Sequence, residues 1–462
     1  MNFRSISFVF FALTLLGVVT NAHGEEQRPK PNIIYILLDD AGYGDLSCYG
    51  QKKFETPNID RIAKEGMKFT QHYSGSTVCA PTRCSLMTGK HTGHCVVRGN
   101  REVKPEGQAP MPSDVMTIPR LLKKAGYTSG MFGKWGLGAP GSTSDPMEHF
   151  DVFYGYNCQR QAHNYYPDHL WSNNEFVQLD GKTYAADLIF EQSLKFVREH
   201  KENPFFLYLP VTVPHAAMQA PEDSVAPYRE KFPQFENVQG KYAGTTITNP
   251  IAAFAGMMTR LDSQVGALQQ LLKELGLEEN TIVLLSSDNG PHKEGGHDPG
   301  FFNSNGPFKG HKRDLYEGGI RVPLLASWKG KIAPGSSSKL ISAHWDMLPT
   351  FCEIAGVEAP ANIDGISILD ELTGNPDIQK QHRYLYWEFT ERGKSQAARK
   401  GDWKAVRTNL KKNPKAPIEL YDLSRDIGEE NDVSSEHPQI VKEMARILEE
   451  AHVPSETFQL FQ

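Results

Sequence analysis

The 462-residue sequence predicts an α/β protein: a large domain whose central sheet is covered by helices on both faces, followed by a smaller C-terminal unit. Three observations carry this. Continuous apolar runs such as "NIIYILLDD" (32–40) end abruptly in polar groups, as buried central strands do when their carboxyl ends open onto a site. Helix-periodic stretches alternate with those runs, the pattern of a sheet with crossover helices. The chain is also longer than one hydrophobic core usually serves, so a second, smaller unit is expected.

Residues 1–24 join Arg4 to the apolar run "SFVFFALTLLGVV" and then to small or polar residues around Ala22 and Gly24, which reads as a cleaved signal peptide. The mature protein is therefore expected to be exported, periplasmic or secreted. The run is shorter than the roughly 20 residues a bilayer needs, and no later segment reads as a membrane span. The catalytic domain is expected over 25–370. After its first strand, "PFFLYLPVTVPH" (204–215) ends in His215. "NTIVLLSSDNG" (280–290) ends in Asp288 and Asn289 and follows an amphipathic helix from about Ala252 to Leu275. "HWDMLPTFCEIAG" (344–356) reads as the last helix of this domain, and the polar stretch "ELTGNPDIQKQ" marks a boundary. The C-terminal subdomain, 371–462, offers short strands at "RYLYWEF", "DWKAVR" and "IELYDL". A helix from about Pro438 follows, with Ile440, Val441, Met444, Ile447 and Leu448 on one face.

The formal charge is −6, which excludes bulk attraction to nucleic acid or acidic membranes but leaves room for a local basic pocket that holds an anion. The six cysteines, Cys48, Cys79, Cys84, Cys95, Cys158 and Cys352, are too sparse for a disulfide scaffold. Packing must hold the fold. The sequence has no Asn-x-Ser/Thr sequon, which for an exported chain of this length points to a bacterial source.

"VCAPTRCSLMTG" (78–89) begins a helix. Pro81 fits the first turn, where its missing N–H goes unmissed, which puts Cys79 at the cap facing the positive end of the helix dipole. Arg83 adds a positive fork to the unpaired backbone N–H groups, a combination that welcomes a tetrahedral oxyanion. With the downstream "GYTSGMFGKWGLG" (126–138), this segment resembles the two signatures of the formylglycine-dependent sulfatases, and order and spacing match over most of the mature chain.

The resemblance implies an alkaline-phosphatase-like fold: a central mixed sheet flanked by helices, with a smaller C-terminal subdomain of antiparallel sheet plus helix. It further implies that Cys79 is oxidised to 3-oxoalanine (Cα-formylglycine) by a formylglycine-generating maturation enzyme, which reads the proline and arginine before folding. Arg83 then holds the converted residue. A hydrated aldehyde carries two hydroxyls on one carbon; one attacks sulfur, and the other expels the sulfate without water attacking sulfur. Thr82 stands where serine is commoner in the family.

Asp39 and Asp40 end one predicted strand, and Asp288 and Asn289 end another. Three carboxylates and an amide carbonyl are hard oxygen donors, suited to Ca²⁺ or Mg²⁺ rather than to zinc. The resemblance implies calcium, touching converted Cys79 as well. It also assigns Lys134, His215 and Lys312 to the sulfate or its leaving oxygen, where negative charge grows as the S–O bond breaks. Lys312 is chosen over Lys309 because it stands six residues before the first glycine of "EGG". Gly136 departs from the family, which often has a histidine after "GKW". His91, His94 and His311 lie in nearby segments, but the sequence assigns none of them to that role, so slow elimination from a sulfated enzyme is expected.

The loop "GPHKEGGHDPGFFNSNGPFKG" (290–310) is placed over the pocket or on the surface, and the aromatic-rich "YNCQRQAHNYYPDHLW" (156–171) suits sugar stacking or packing equally. The reading is an exported sulfatase acting on a sulfated carbohydrate or an aryl sulfate. Two alternatives stand beside it. One is a phosphomonoester or phosphodiester hydrolase of the same superfamily, though a two-zinc site would want a histidine where Asn289 stands. The other is a sulfate-ester-binding relative without catalysis, for which Gly136 is the hint.

Overall fold

A strand flanked by sheet on both edges and helices on both faces needs an apolar side chain at every position, and β1 (Asn32–Leu38) supplies seven buried residues in a row. Ile34, Ile36 and Leu38 enter one core layer, while Ile33, Tyr35 and Leu37 enter the other. The computed structural model describes Met1 and residues 30–461. Apart from Met1, the signal peptide expected at 1–24 lies outside them.

The remaining strands of the main sheet are β2 (Met67–Phe69), β3 (Thr128–Lys134), β4 (Val152–Tyr156), β5 (His169–Ser172), β6 (Glu175–Gln178), β7 (Phe205–Pro210), β8 (Thr281–Ser287), β9 (Leu324–Ser327) and β10 (Ser336–Ser338). Their spatial order is β10-β2-β9-β8-β1-β7-β3-β4-β5-β6. The central five, from β8 to β4, run parallel, and antiparallel pairs begin beyond them at β8–β9 and β4–β5. The sheet is thus mixed, as expected. One layer on it holds α1 (Pro57–Lys64), α4 (Ala185–His200) and α5 (Pro250–Glu274). The other holds α2 (Cys79–Thr88), α3 (Ile118–Lys124) and α6 (Met347–Ala355). α5 starts two residues before the expected Ala252, because Asn249 caps it and Pro250 takes the first helical position.

β3 and β4 were not legible as strands. β3 carries glycines where neighbouring backbone comes too close for a side chain: a Cβ on Gly133 would lie 2.0 Å from the Pro210 carbonyl oxygen of β7.

The C-terminal sheet is antiparallel in the order β11 (Leu385–Phe389), β12 (Ser395–Lys400), β13 (Trp403–Arg407), β14 (Glu419–Asp422). One face packs Tyr386, Ala398, Ala405 and Leu420 against Met444, Ile447 and Leu448 of α7 (Pro438–Glu450). The other presses Trp387, Val406 and Tyr421 onto Tyr73, Val78, Ile320 and Trp345 of the main domain. β12, "SQAARK", has no apolar alternation to announce it, yet it is buried because alanines let both faces approach closely. All six cysteines are free. Among the described residues no helix is long and apolar enough to cross a membrane.

Candidate active site

Parallel strands deliver their carboxyl ends to one edge. β1 and β8 pair in register through Leu38 and Ser287, so the residues that follow, Asp39 and Asp40, stand beside Asp288 and Asn289. The Asp288 N–H donates to the Leu38 carbonyl at 2.9 Å, and the Asp40 N–H to Asp288 Oδ1 at 3.0 Å. Asp40 takes a left-handed backbone, φ 68°, a conformation uncommon outside glycine that tends to collect at functional sites. Lys134 ends β3, and His215 follows β7.

α2 brings Cys79 to the same edge as the first helical residue. The cap is therefore Val78, one position before the expected Cys79, and Pro81 remains in the first turn. The Ala80 N–H, one of the helix's unpaired donors, is met by Asn100 Oδ1 at 3.0 Å.

All nine predicted residues are buried together. The Cys79 thiol donates to Asp39 Oδ1 at 3.4 Å. Lys134 Nζ lies 2.6 Å from Asp39 Oδ2, and Lys312 Nζ lies 2.7 Å from Asp40 Oδ2. Arg83 spends its fork on Asp288 Oδ2, at 3.0 Å, and on the Lys134 carbonyl. It thus knits three site segments rather than opening onto solvent. His215 Nδ1 donates to the Ala216 carbonyl, which leaves Nε2 to accept from Lys312 Nζ at 3.0 Å.

The electrostatics follow from burial of matched charges. Burial pushes the Asp39 and Asp40 carboxyls up, but Lys134 beside the first and Lys312 beside the second outweigh it, and both are held below the usual carboxylate range. Asp288, buried and facing Asp39, is pushed up to about 7 despite Arg83. Burial, then Lys312, holds His215 well below its ordinary value, so the ring is neutral. Burial, then Asp288 and Asp39, raises the Cys79 thiol well above its ordinary value. As a thiol this side chain is no thiolate nucleophile.

The donor set fits a hard divalent cation. Ligand atoms of Asp39, Asp40, Cys79 and His215 lie within 4.8 Å of one another. Asn289 Nδ2 donates to Asp40 Oδ1 at 2.8 Å and to the Gly290 carbonyl at 2.9 Å, while its Oδ1 is buried with no hydrogen-bond partner. An orphaned amide oxygen beside three carboxylates is the chemistry of a Ca²⁺ or Mg²⁺ ligand.

Sequence reasoning missed two histidines and a glutamine. His163 stacks on His215 with ring centroids 3.8 Å apart, and its Nε2 is buried without a partner. His292 lies 5.8 Å from the same ring, its Nε2 bonded to the Pro214 carbonyl. Gln159 fills the space above Gly136, where a Cβ would lie 2.8 Å from its Nε2. No spacing rule joins these to the motif segments. His91 and His94 turn instead to Asp364, His94 Nδ1 at 2.8 Å from Oδ1. The 290–310 loop packs inward through His297, Phe302 and Phe308, and in 156–171 Tyr156 and Tyr165 are core residues. Tyr165 also buttresses the site, its hydroxyl donating to the His215 carbonyl at 2.9 Å.

A family model described as Sulfatase matches residues 31–357, and one described as N-sulphoglucosamine sulphohydrolase, C-terminal, matches 307–453. The N-acetylgalactosamine-6-sulfatase of Rattus norvegicus is 32% identical over 397 residues, covering 79% of this chain and 69% of that protein. An N-acetylgalactosamine-6-O-sulfatase of Bacteroides thetaiotaomicron is 28% identical over 539 residues, covering 96% and 99%. Among solved structures, Ps i-CgsB aligns with a TM-score of 0.78 at 29% identity, covering 91% of this chain and 92% of that one, and it is also described in complex with k-i-k-neocarrahexaose.

Proposed function

The chain belongs to the sulfatase family of the alkaline phosphatase superfamily and is a sulfuric ester hydrolase; from that premise we propose that it is exported and removes sulfate from a saccharide through a formylglycine formed at Cys79. The observation that carries the reading is Cys79 itself, a thiol held on Asp39 at the head of α2 among three carboxylates, one orphaned amide and three buried cations. Relatives named N-acetylgalactosamine-6-sulfatase and N-acetylgalactosamine-6-O-sulfatase, and a structural neighbour described in complex with k-i-k-neocarrahexaose, support a sulfated carbohydrate as substrate.

Converted and hydrated, the Cys79 side chain would supply two hydroxyls on one carbon, one to attack sulfur and one to expel sulfate. Asp39, Asp40, Asp288 and Asn289 would hold Ca²⁺, which would offset carboxylate and sulfate charge and polarise the attacking hydroxyl. Lys134 and Lys312 present ammonium groups to the oxygens of the bound sulfate ester. Lys312, its ammonium oriented by the neutral His215 ring at 3.0 Å, would meet the charge that develops on the leaving oxygen and so favour the transition state over the substrate. Arg83 keeps Asp288 and the end of β3 in place. Cys79 is 1% exposed, which supports conversion before the chain folds.

The test joins mass to turnover. Protein that releases sulfate from a 6-sulfated hexosamine should yield a Cys79 peptide lighter than the thiol form. Sulfate release by protein whose Cys79 is entirely thiol would remove the formylglycine from the mechanism.

A further inference from the structure

Beside Lys312, between the main domain and the hairpin joining β11 to β12, runs a cleft of about 460 Å³. Lys293, Arg313, Arg392 and Lys394 line it together with Lys312. Two of these charges are spent: Lys312 on Asp40, and Arg313 on Glu294 at 2.7 Å. For Lys293, Arg392 and Lys394 no carboxylate among the described residues lies within ion-pairing distance. Lys394 is a largely buried residue, 9% exposed, while Lys293 and Arg392 are exposed.

The backbone there is also held against its preference. Arg313 (φ 82°), Arg392 (52°), Lys394 (58°) and Asn409 (57°) are all left-handed, and all four line this cleft. Long, unbranched side chains in that region persist only where surrounding bonds over-determine them. Such bonds are present. Glu391 Oε1 accepts the Asn100 N–H at 2.6 Å, and the Thr390 hydroxyl donates to the Arg98 carbonyl at 3.1 Å. The N–H groups of Leu410 and Lys411 close on the carbonyls of Lys394 and Gly393 at 3.1 and 3.0 Å. Asn100 in turn bonds Ala80, next to Cys79. The backbone that carries Arg392 and Lys394 is therefore tied to the segment next to the nucleophile.

We propose that this cleft is a second anion subsite, which takes another acidic group of the same saccharide, sulfate or carboxylate, while the scissile sulfate sits over Cys79. The inference rests on the sulfatase reading and names its substrate class: a polyanionic saccharide of at least two sugars. Unpaired cations are stabilised by an incoming anion. Glu294 and Asp314 also line the cleft, but five cationic side chains outnumber them, and a cleft of net positive charge concentrates anions even on a protein of net negative charge.

The test uses three disaccharides with the same scissile sulfate, whose second sugar is neutral, sulfated or a uronate. Wild-type enzyme should prefer a charged substrate at least about tenfold in kcat/KM. Arg392→Gln and Lys394→Gln, which remove the charge and stay unbranched at Cβ, should each lower the charged-to-neutral ratio about tenfold through KM. Arg392→Lys and Lys394→Arg should restore it. Loss confined to the sulfated partner assigns a sulfate subsite, and loss confined to the uronate a carboxylate subsite. A wild-type ratio near one, or a ratio unmoved in the double Gln variant, overturns the proposal. Calorimetric titration of Cys79→Ser protein with the same three sugars separates the two readings. Charge-dependent binding abolished in the Gln background, with no hydrolysis of any sugar by matured wild type, keeps the subsite and removes the hydrolase reading. Hydrolysis without charge dependence does the reverse.

Discussion

Where the C-terminal sheet meets the main domain, Lys404 Nζ lies 2.9 Å from Glu317 Oε1 and 3.3 Å from Glu429 Oε1, all three side chains shut off from solvent. Glu317 also accepts the Tyr73 hydroxyl at 2.6 Å and Arg321 Nη1 at 3.1 Å. Burial alone would protonate it, but Lys404, then Arg321 and Arg399, pull its carboxyl down to about 2. At Glu429 burial, aided by Glu317, outweighs the single ion-pair partner Lys404 and pushes the carboxyl up to about 7. A carboxyl raised in the folded state adds stability that is full below its ordinary value and is lost as pH rises through the folded value. Between pH 6 and 8 that loss is roughly 1 kcal/mol for a group titrating near 7. Replacing Glu429 with Gln should remove this part of the pH dependence at the cost of one hydrogen bond, because both carboxylate oxygens accept, one from the Glu317 N–H and one from Lys404. Lys404→Met leaves two buried carboxylates without their lysine and should cost about 3–5 kcal/mol. Adding Glu429→Gln to it should recover about 1–2 kcal/mol, because the pair is coupled. Urea unfolding at both pH values reads all of this through tryptophan fluorescence, since the Trp387 ring lies 5.9 Å from Lys404 Nζ. Identical pH dependence in wild type and Glu429→Gln, or a cost below about 1 kcal/mol for Lys404→Met, would refute the reasoning.

Lys312→Ala should lower kcat by about 10²–10³-fold. Lys309→Ala, whose amine bonds the Glu429 carbonyl at 2.9 Å and covers the Tyr316 ring at 4.1 Å, should leave kcat largely intact; the reverse order would move the catalytic assignment to Lys309. Chelation with EGTA should lower both sulfate release and melting temperature, and Ca²⁺ should restore both. Two unchanged readings would count against the metal. Gly136→Ala should destabilise by about 1–3 kcal/mol, because the position has φ 75° and Gln159 fills the space beside it. Calorimetry with Gln159→Ala added should recover the steric share but not the backbone share.

What the sequence by itself determined is positional. A run of apolar residues ending in "DD" or "DNG" places its acids at a strand's carboxyl end, and parallel pairing brings such ends to one edge, so Asp39, Asp40, Asp288 and Asn289 were legible as a set before any fold was seen. Pro81 and Arg83 marked the helix that carries Cys79 to the same place, because a proline in a first turn is a local constraint. Strands made of glycine and alanine, β3 and β12, were not legible, since their burial comes from neighbours' backbones and not from their own apolar side chains. Only the tertiary structure decided which cation meets which acid, Lys134 with Asp39 and Lys312 with Asp40. It alone stacked His163 on His215, laid Gln159 above Gly136, and set Arg392 and Lys394 along the same cleft as Lys312. The physical reason is range. Periodicity and capping act within a few residues of the chain, whereas charge pairing and ring stacking depend on where segments a hundred residues apart are finally packed.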